Sequence, residues 1–339
     1  MLYIVSHWFA AVLEVALDYV DYYQNIVFEW LDYYFPGWRI YLLSPFVILF
    51  FVLPMLLVVY LYLSALLLFV YHRRHSIYEA FHNHNVWEGY KQTIATFWTG
   101  HGRIWHGYEV VGMSNIPVTG SALIIYYHGA FPIDLYYLVA HIYLERGRVV
   151  RNVMDEFALK IPGLSRFFRF WGSFPGPRSK VVEYLKSGEM VSIAPGGLRE
   201  ALFSEDYSLV WENRVGFAKA ALEAQVPILP MFTENCRQAF DNIKTGRKLF
   251  RRIYEKTRLP PVPIYGGFPV KLRTYVGTPI PYDSSLTPIA LAKKVEMALQ
   301  AMIQTYQEKP ATIWGGLKQR IFSKTLPPEP KQLQNGKKD

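Results

Sequence analysis

The sequence predicts an α/β protein with a mostly parallel sheet, preceded by a membrane-embedded helical segment. Three observations carry this expectation. Thirty residues from Leu42 to Tyr71 pass without a charge, and at about 1.5 Å per residue they outreach the roughly 30 Å of a bilayer core. From Gly107 onward, short apolar runs alternate with helix-like stretches, the pattern of strands joined by crossover helices. The charge is divided as well. Residues 1–38 hold five acids and no Lys or Arg, leaving 36 bases against 22 acids in the rest.

Residues 1–38 read as an acidic amphipathic segment. Glu14, Asp18, Asp21, Glu29 and Asp32 recur at helical spacing opposite Trp8, Val12, Val15, Tyr19, Ile26 and Trp30. A signal peptide is not expected, because no basic n-region opens the chain and Glu14 and Asp18 interrupt the apolar stretch. Residues 39–72 read as the membrane segment: one helix kinked at Pro54, or a hairpin bent there. No Gly or Asn accompanies Pro54 to make a tight turn, which favours the single helix. The bases that follow the apolar run predict a cytosolic position for what comes after it. The single cysteine, Cys236, excludes an internal disulfide and suits a reducing compartment.

Residues 73–107 read as an interfacial helical linker, rich in the Trp and Tyr that prefer the headgroup region. His72, His75, His82 and His84 fit no common zinc spacing, so no metal is expected. Residues 108–310 form the α/β domain. Strands are predicted at 108–113, 121–127, 148–154, 190–195, 226–232 and 271–277, with helices at 134–145, 180–187, 214–224 and 288–307. The tail, 311–339, ends in the polar, proline-rich "PPEPKQLQNGKKD" and is expected to be largely disordered.

Chemistry concentrates at two strand ends. In "IIYYHGAFPID", His128 follows an apolar strand, Gly129 leaves room beside it, and Pro132 is preorganised for a first helical turn that includes Asp134. A loop histidine and a helix aspartate can converge, the carboxylate fixing the imidazole tautomer and freeing the other nitrogen as a base. A helix-capping histidine would look the same. In "APGGLRE", Pro195, Gly196 and Gly197 form a turn whose backbone N–H groups can approach an anion, and Arg199 and Glu200 follow. "WGSFPGPR" ends in Arg178 after a rigid turn, and "VPILP" reads as core strand. A basic run, Lys244–Arg258, interleaves cations with Leu249, Phe250, Ile253 and Tyr254. It could lie on a membrane, meet the phosphates of coenzyme A, or be a solvated face. Nucleic acid is not an expected partner, because the membrane segment already accounts for the basic bias. There is no G-x-S-x-G elbow and no P-loop.

Taken in order, "YYHGAFPID", "PGPR", "APGGLREA", "VPILPMFT" and "YGGFPVKLRTYVGTPIPYD" resemble the blocks of the glycerolipid acyltransferases. The resemblance is closest to the transmembrane-protein-68 type, related to the type 2 diacylglycerol acyltransferases, and covers roughly residues 85–310. One spacing departs from the wider superfamily: five residues separate His128 from Asp134, where glycerol-phosphate acyltransferases have four. That points to the neutral-lipid branch. The resemblance implies an O-acyltransferase of the endoplasmic reticulum membrane facing the cytosol, with no bound cofactor and with acyl-CoA or a phospholipid as donor. It implies the bilayer, a diacylglycerol or related acceptor and the acyl donor as partners. His128 would be the base and Asp134 its orienting partner. Gly129, Arg178, Pro195, Gly196, Gly197, Arg199 and Glu200 would serve substrate: Gly196–Gly197 and Arg199 at the donor or oxyanion, Arg178 at a phosphate, and Glu200 fixing one of the two arginines. A lipid-binding protein on the same scaffold, or a lysophospholipid acyltransferase, is the other expectation.

Overall fold

A computed structural model describes residues 2–64 and 86–322, and the chain divides into two compact units, 1–52 and 53–339. The first holds the 33-residue helix Leu2–Tyr34. Gly37, at φ +86°, makes the left-handed turn that a side chain would resist, and Trp38 restarts helix. Asp32 ties the turn by accepting from Trp38 Nε1 and Arg39, each at 2.9 Å.

The helical run Trp38–Ser64 is 27 residues long and apolar enough to cross a membrane. Pro54 lies within it and not at a hairpin bend. Proline lacks an N–H and presses on the carbonyl four residues back, and here the chain widens into a π turn at Ile48–Val52 just before it.

The second unit carries the sheet. Its strands are β1 (Glu109–Val111), β2 (Ala122–Tyr126), β3 (Val150–Met154), β4 (Phe174–Pro175), β5 (Met190–Ile193), β6 (Ile228–Glu234), β7 (Phe240–Asn242), β8 (Ile264–Gly266) and β9 (Arg273–Val276). Seven of them order as β1-β9-β6-β2-β5-β3-β4, and β7 pairs β8 apart from these. Within the large sheet every pairing is parallel except β6 with β9. The six strands expected from the sequence are all present. Two-residue β4 and the β7–β8 pair are additional, too short to register as periodic runs.

β2 lies at the centre, and all five of its residues are buried. Ile124 and Tyr126 join the core on one face, Leu123 and Ile125 the core on the other, the period-2 alternation of a sheet covered on both sides. Each such side chain contributes on the order of 1.5–3 kcal/mol by leaving water. The helix Ile133–Arg146 covers the first face, and Gly216–Ala224 and Pro288–Tyr306 cover the second. Because β5 slots between β2 and β3, the loops after β2 and β5 meet at the carboxyl edge, where open α/β sheets collect their ligands.

The segment expected as tail begins with structure. Thr312 caps the helix Ile313–Ile321, its hydroxyl accepting from Gly315 N at 3.0 Å. Gly316 lets this helix approach closely: a Cβ there would stand 2.9 Å from that of Val270. Its carbonyl accepts from Lys271 N at 3.0 Å. The sequence "PPEPKQLQNGKKD" lies outside the described residues, as do His72, His75, His82 and His84.

Candidate active site

His128 stands two residues past β2, half-buried, its ring stacked on Tyr126 with centroids 6.1 Å apart. Nδ1 lies 2.7 Å from the carbonyl of Gly129. A carbonyl can only accept, so Nδ1 carries the proton and Nε2 keeps its lone pair. Burial lowers the ring's pKa below the ordinary histidine value, opposed by that carbonyl and reinforced by the Arg237 charge. The neutral, Nδ1-protonated form is thus the resting state. Space beside Gly129 is tight, since a Cβ there would stand 3.3 Å from Cys236 Sγ.

Asp134 does not supply this tautomer. It sits in the first turn of Ile133–Arg146, 1% exposed, and no hydrogen bond joins it to His128. Neither carboxylate oxygen has a partner of normal geometry. Burial pushes its pKa up to about 6, against the opposing pull of the Thr233 hydroxyl and the helix's first N–H groups.

Glu200 holds the histidine loop, correcting its expected role beside an arginine. Fully buried in the helix Gly197–Phe203, it accepts from His128 N through one oxygen and Val210 N through the other, both at 2.9 Å. Burial raises its pKa to about 7, opposed by those two N–H groups and by Arg237. Gly196 makes room for this carboxylate, for a Cβ there would come within 2.5 Å of Glu200 side-chain atoms. The Gly197 N–H is already spent on the Ala194 carbonyl at 3.0 Å, and Gly197 adopts φ +52°.

Both arginines pair with carboxylates. Arg199 is clamped between Glu212 at 2.6 Å and Glu255 at 2.7 Å. Arg178 begins the helix Arg178–Lys186, exposed, with Glu223 at 3.5 Å. The carbonyls of Pro195 and Gly196 are gripped instead by Arg214, at 2.9 and 3.0 Å.

The residue missed in the sequence is Arg237, 6% exposed after β6. Its guanidinium donates to the Tyr127 hydroxyl, to Asp241 at 2.8 Å, and to the carbonyls of Glu200 and Ala201 at 2.8 and 3.1 Å. It thus ties the residue before His128 to the helix bearing Glu200. The available signal was a lone cation in "TENCRQAF", directly after a buried strand.

A cavity of about 410 Å³ opens at this edge. His128 and Gly197 reach it, while Phe131, Tyr136, Phe157, Phe168 and Leu61 of the long apolar helix make its wall. Such a mouth accepts an alkyl chain and presents one base to whatever polar group follows it. No three His, Cys, Asp or Glu side chains among the described residues converge as metal ligands.

Comparison with known proteins agrees with this architecture. Residues 107–234 match the sequence model of the Acyltransferase family. A Bos taurus protein named "DGAT1/2-independent enzyme synthesizing storage lipids" is 47% identical over 303 residues, covering 87% of this chain and 90% of its own. The Homo sapiens protein of that name is 44% identical, covering 95% and 94%. The crystal structure of the 1-acyl-sn-glycerophosphate acyltransferase PlsC from Thermotoga maritima shares the fold. Its TM-score is 0.50 at 18% identity, over 74% of this chain and 96% of that one.

Proposed function

Because the chain belongs to the acyltransferase family of these storage-lipid enzymes, we propose that it transfers a fatty acyl group to the hydroxyl of a membrane glycerolipid. The acceptor we assign is diacylglycerol or its ether-linked equivalent, giving triacylglycerol or its analogue. One observation carries the reading: His128 Nε2 is held as a free lone pair at the mouth of an apolar cavity. The donor is an acyl-CoA or a phospholipid.

In the proposed reaction, Nε2 takes the proton of the acceptor hydroxyl as its oxygen attacks the acyl carbonyl. The tetrahedral oxyanion collapses, and the imidazolium returns the proton to the departing thiolate or alkoxide. Asp134 stabilises the imidazolium by charge. Arg178, exposed at a helix start with Glu223 beside it, would meet a phosphate of the donor or a headgroup. Gly129, Pro195, Gly196 and Glu200 shape and hold the loops, and Arg199 closes the adjoining surface through its carboxylate pairs. The apolar helix and the basic excess after residue 38 support a bilayer site with this domain in the cytosol, on the endoplasmic reticulum membrane.

The test is lipid mass spectrometry of membranes from cells expressing wild type or His128→Ala, fed labelled diacylglycerol and a labelled acyl donor. Labelled triacylglycerol from wild type alone is expected, its acyl label naming the donor. Equal profiles at matched expression would refute the reading and leave a lipid-binding protein.

A further inference from the structure

The helix Arg247–Thr257 takes no part in the reaction above. One face of it is buried. Phe250 and Tyr254 pack with Leu202, Phe203 and Val262 in a small core of their own, the Tyr254 and Phe203 rings 5.7 Å apart. With 3.6 residues to a turn, the residues one place before these, Leu249 and Ile253, stand about 100° round the helix. They are 59% and 37% exposed. Lys248, Arg252 and Lys256, spaced by four, make a row of exposed cations beside them. Leu259, just past the helix, is 55% exposed.

The nearby carboxylates are already engaged. Glu205 pairs with Arg247, and Glu255 with Arg199 at 2.7 Å and Arg258 at 2.9 Å. Among the described residues, no carboxylate stands within ion-pairing distance of Lys248, Arg252 or Lys256. The pair with Arg199 also ties this helix to the one that bears Glu200. The chain leaving it lines the His128 cavity at Pro260 and Ile264, together with Leu61 of the apolar run. It then reaches Gly267, where a Cβ would stand 2.9 Å from that of Leu53. A short stretch of chain thus joins the basic helix to the element that is apolar enough to enter a bilayer.

A row of cations alone suits water, and single exposed apolar side chains are ordinary. Three exposed apolar side chains beside such a row, on a helix whose other face is packed, are the pattern of an element lying in a headgroup layer. The phosphates of a soluble ligand would give Leu249, Ile253 and Leu259 nothing to do. We propose that this helix is a second membrane contact, docking on a leaflet that carries anionic phospholipid. Lys248, Arg252 and Lys256 meet the headgroup charge, and Leu249, Ile253 and Leu259 enter the acyl boundary below it. Docked in this way, the helix holds the mouth of the His128 cavity at the leaflet surface. Cytosolic leaflets carry such lipids. The inference rests on the bilayer site proposed above and not on acyl transfer.

The experiment places the full chain in nanodiscs of phosphatidylcholine, with or without phosphatidylserine. The phosphatidylcholine bears bromine on its acyl chains, which quenches fluorescence on contact. Met55→Cys and Ile253→Cys carry an environment-sensitive dye in separate preparations, both positions being exposed and Cys236 buried. The Met55 label, in the apolar run, should be quenched in both lipids. The Ile253 label should be quenched, and its emission moved to shorter wavelength, only where phosphatidylserine is present. About 1 M salt, which cuts the screening length to about 3 Å, should remove this difference between the lipids. Lys248→Gln, Arg252→Gln and Lys256→Gln together should remove it as well. His128→Ala should behave as wild type, which keeps this outcome apart from that of the transfer reaction. Quenching at 253 that is absent from both lipids, or equal in both, would overturn the proposal, while a quenched Met55 label would keep the bilayer reading. An unquenched Met55 label would remove the bilayer reading and this one with it. A change at 253 on adding coenzyme A to phosphatidylcholine discs would assign the cations to a soluble ligand's phosphates and overturn the proposal too.

Discussion

At His128 the division of labour differs from a simple His–Asp couple. The Gly129 carbonyl sets the tautomer, so the charge role proposed for Asp134 would be exerted from a buried position. His128→Ala should lower turnover by about 10²–10⁴-fold, the usual range for a lost general base, measured with purified protein and diacylglycerol. Since the imidazole pKa is lowered, the acid limb of the rate profile should fall below the ordinary histidine value. Asp134 has the opposite linkage. Its folded pKa, about 6, exceeds the unfolded value, so ionising it in place costs stability on the order of 2–3 kcal/mol above pH 6. Asp134→Asn should therefore raise the melting temperature at pH 8 while reducing turnover. The gain should shrink as the pH falls toward 4, where wild-type Asp134 is itself protonated. A variant less stable than wild type at pH 8 would refute this.

The elements carry His128 through two struts. Glu200 offers one acceptor to each of two N–H groups, and an amide can offer only one. Glu200→Gln should cost about 1–3 kcal/mol, the penalty of a buried unpaired donor, read by thermal melts. Arg237 joins the loop after β2 to the helix Gly197–Phe203. Arg237→Met would leave Asp241 without its ion-pair partner and take one donor from each of three oxygens, a loss of about 3–5 kcal/mol by the rule for broken buried pairs. Wild-type stability in that variant would refute the strut. These two roles mark where sequence reading stopped. The long strands and helices were legible because their periodicity spans whole elements, and His128 and Gly197 were legible because strand ends and glycine turns have local signatures. The ion-pairing of Arg199 with Glu212 and Glu255, and the clasp of Arg214 on Pro195 and Gly196, depend on residues brought together only by the sheet order. For the same reason the helix Ile313–Ile321 went unread in the tail: Ile313 and Leu317 pack on the core and Gly316 abuts Val270, partners that only the fold brings near.

For the whole molecule, opposed titrations should flatten the response to pH. The raised carboxyls of Asp134 and Glu200 make stability rise as pH falls from 7 toward 4. The lowered His106, His101 and His128 make it fall below about 6.5, since they charge only on unfolding. Melting temperature should change little between pH 7 and 5 and drop below about 4, once the carboxyls are spent. A steady rise to pH 4 would show that the histidines carry no such penalty. The strand order has another consequence, in the timing of synthesis. β1, the first strand made, pairs along its length with β9, the last, and β9 also closes the edge of β6. The ribosome must therefore deliver residue 276 before either edge is covered, long after the apolar helical run Trp38–Ser64 has emerged. Until then the nascent chain displays two open strand edges, templates for mispairing with its neighbours. The chaperone-dependent interval in this protein's life is thus expected to run from the making of β1 to that of β9, about half of its translation.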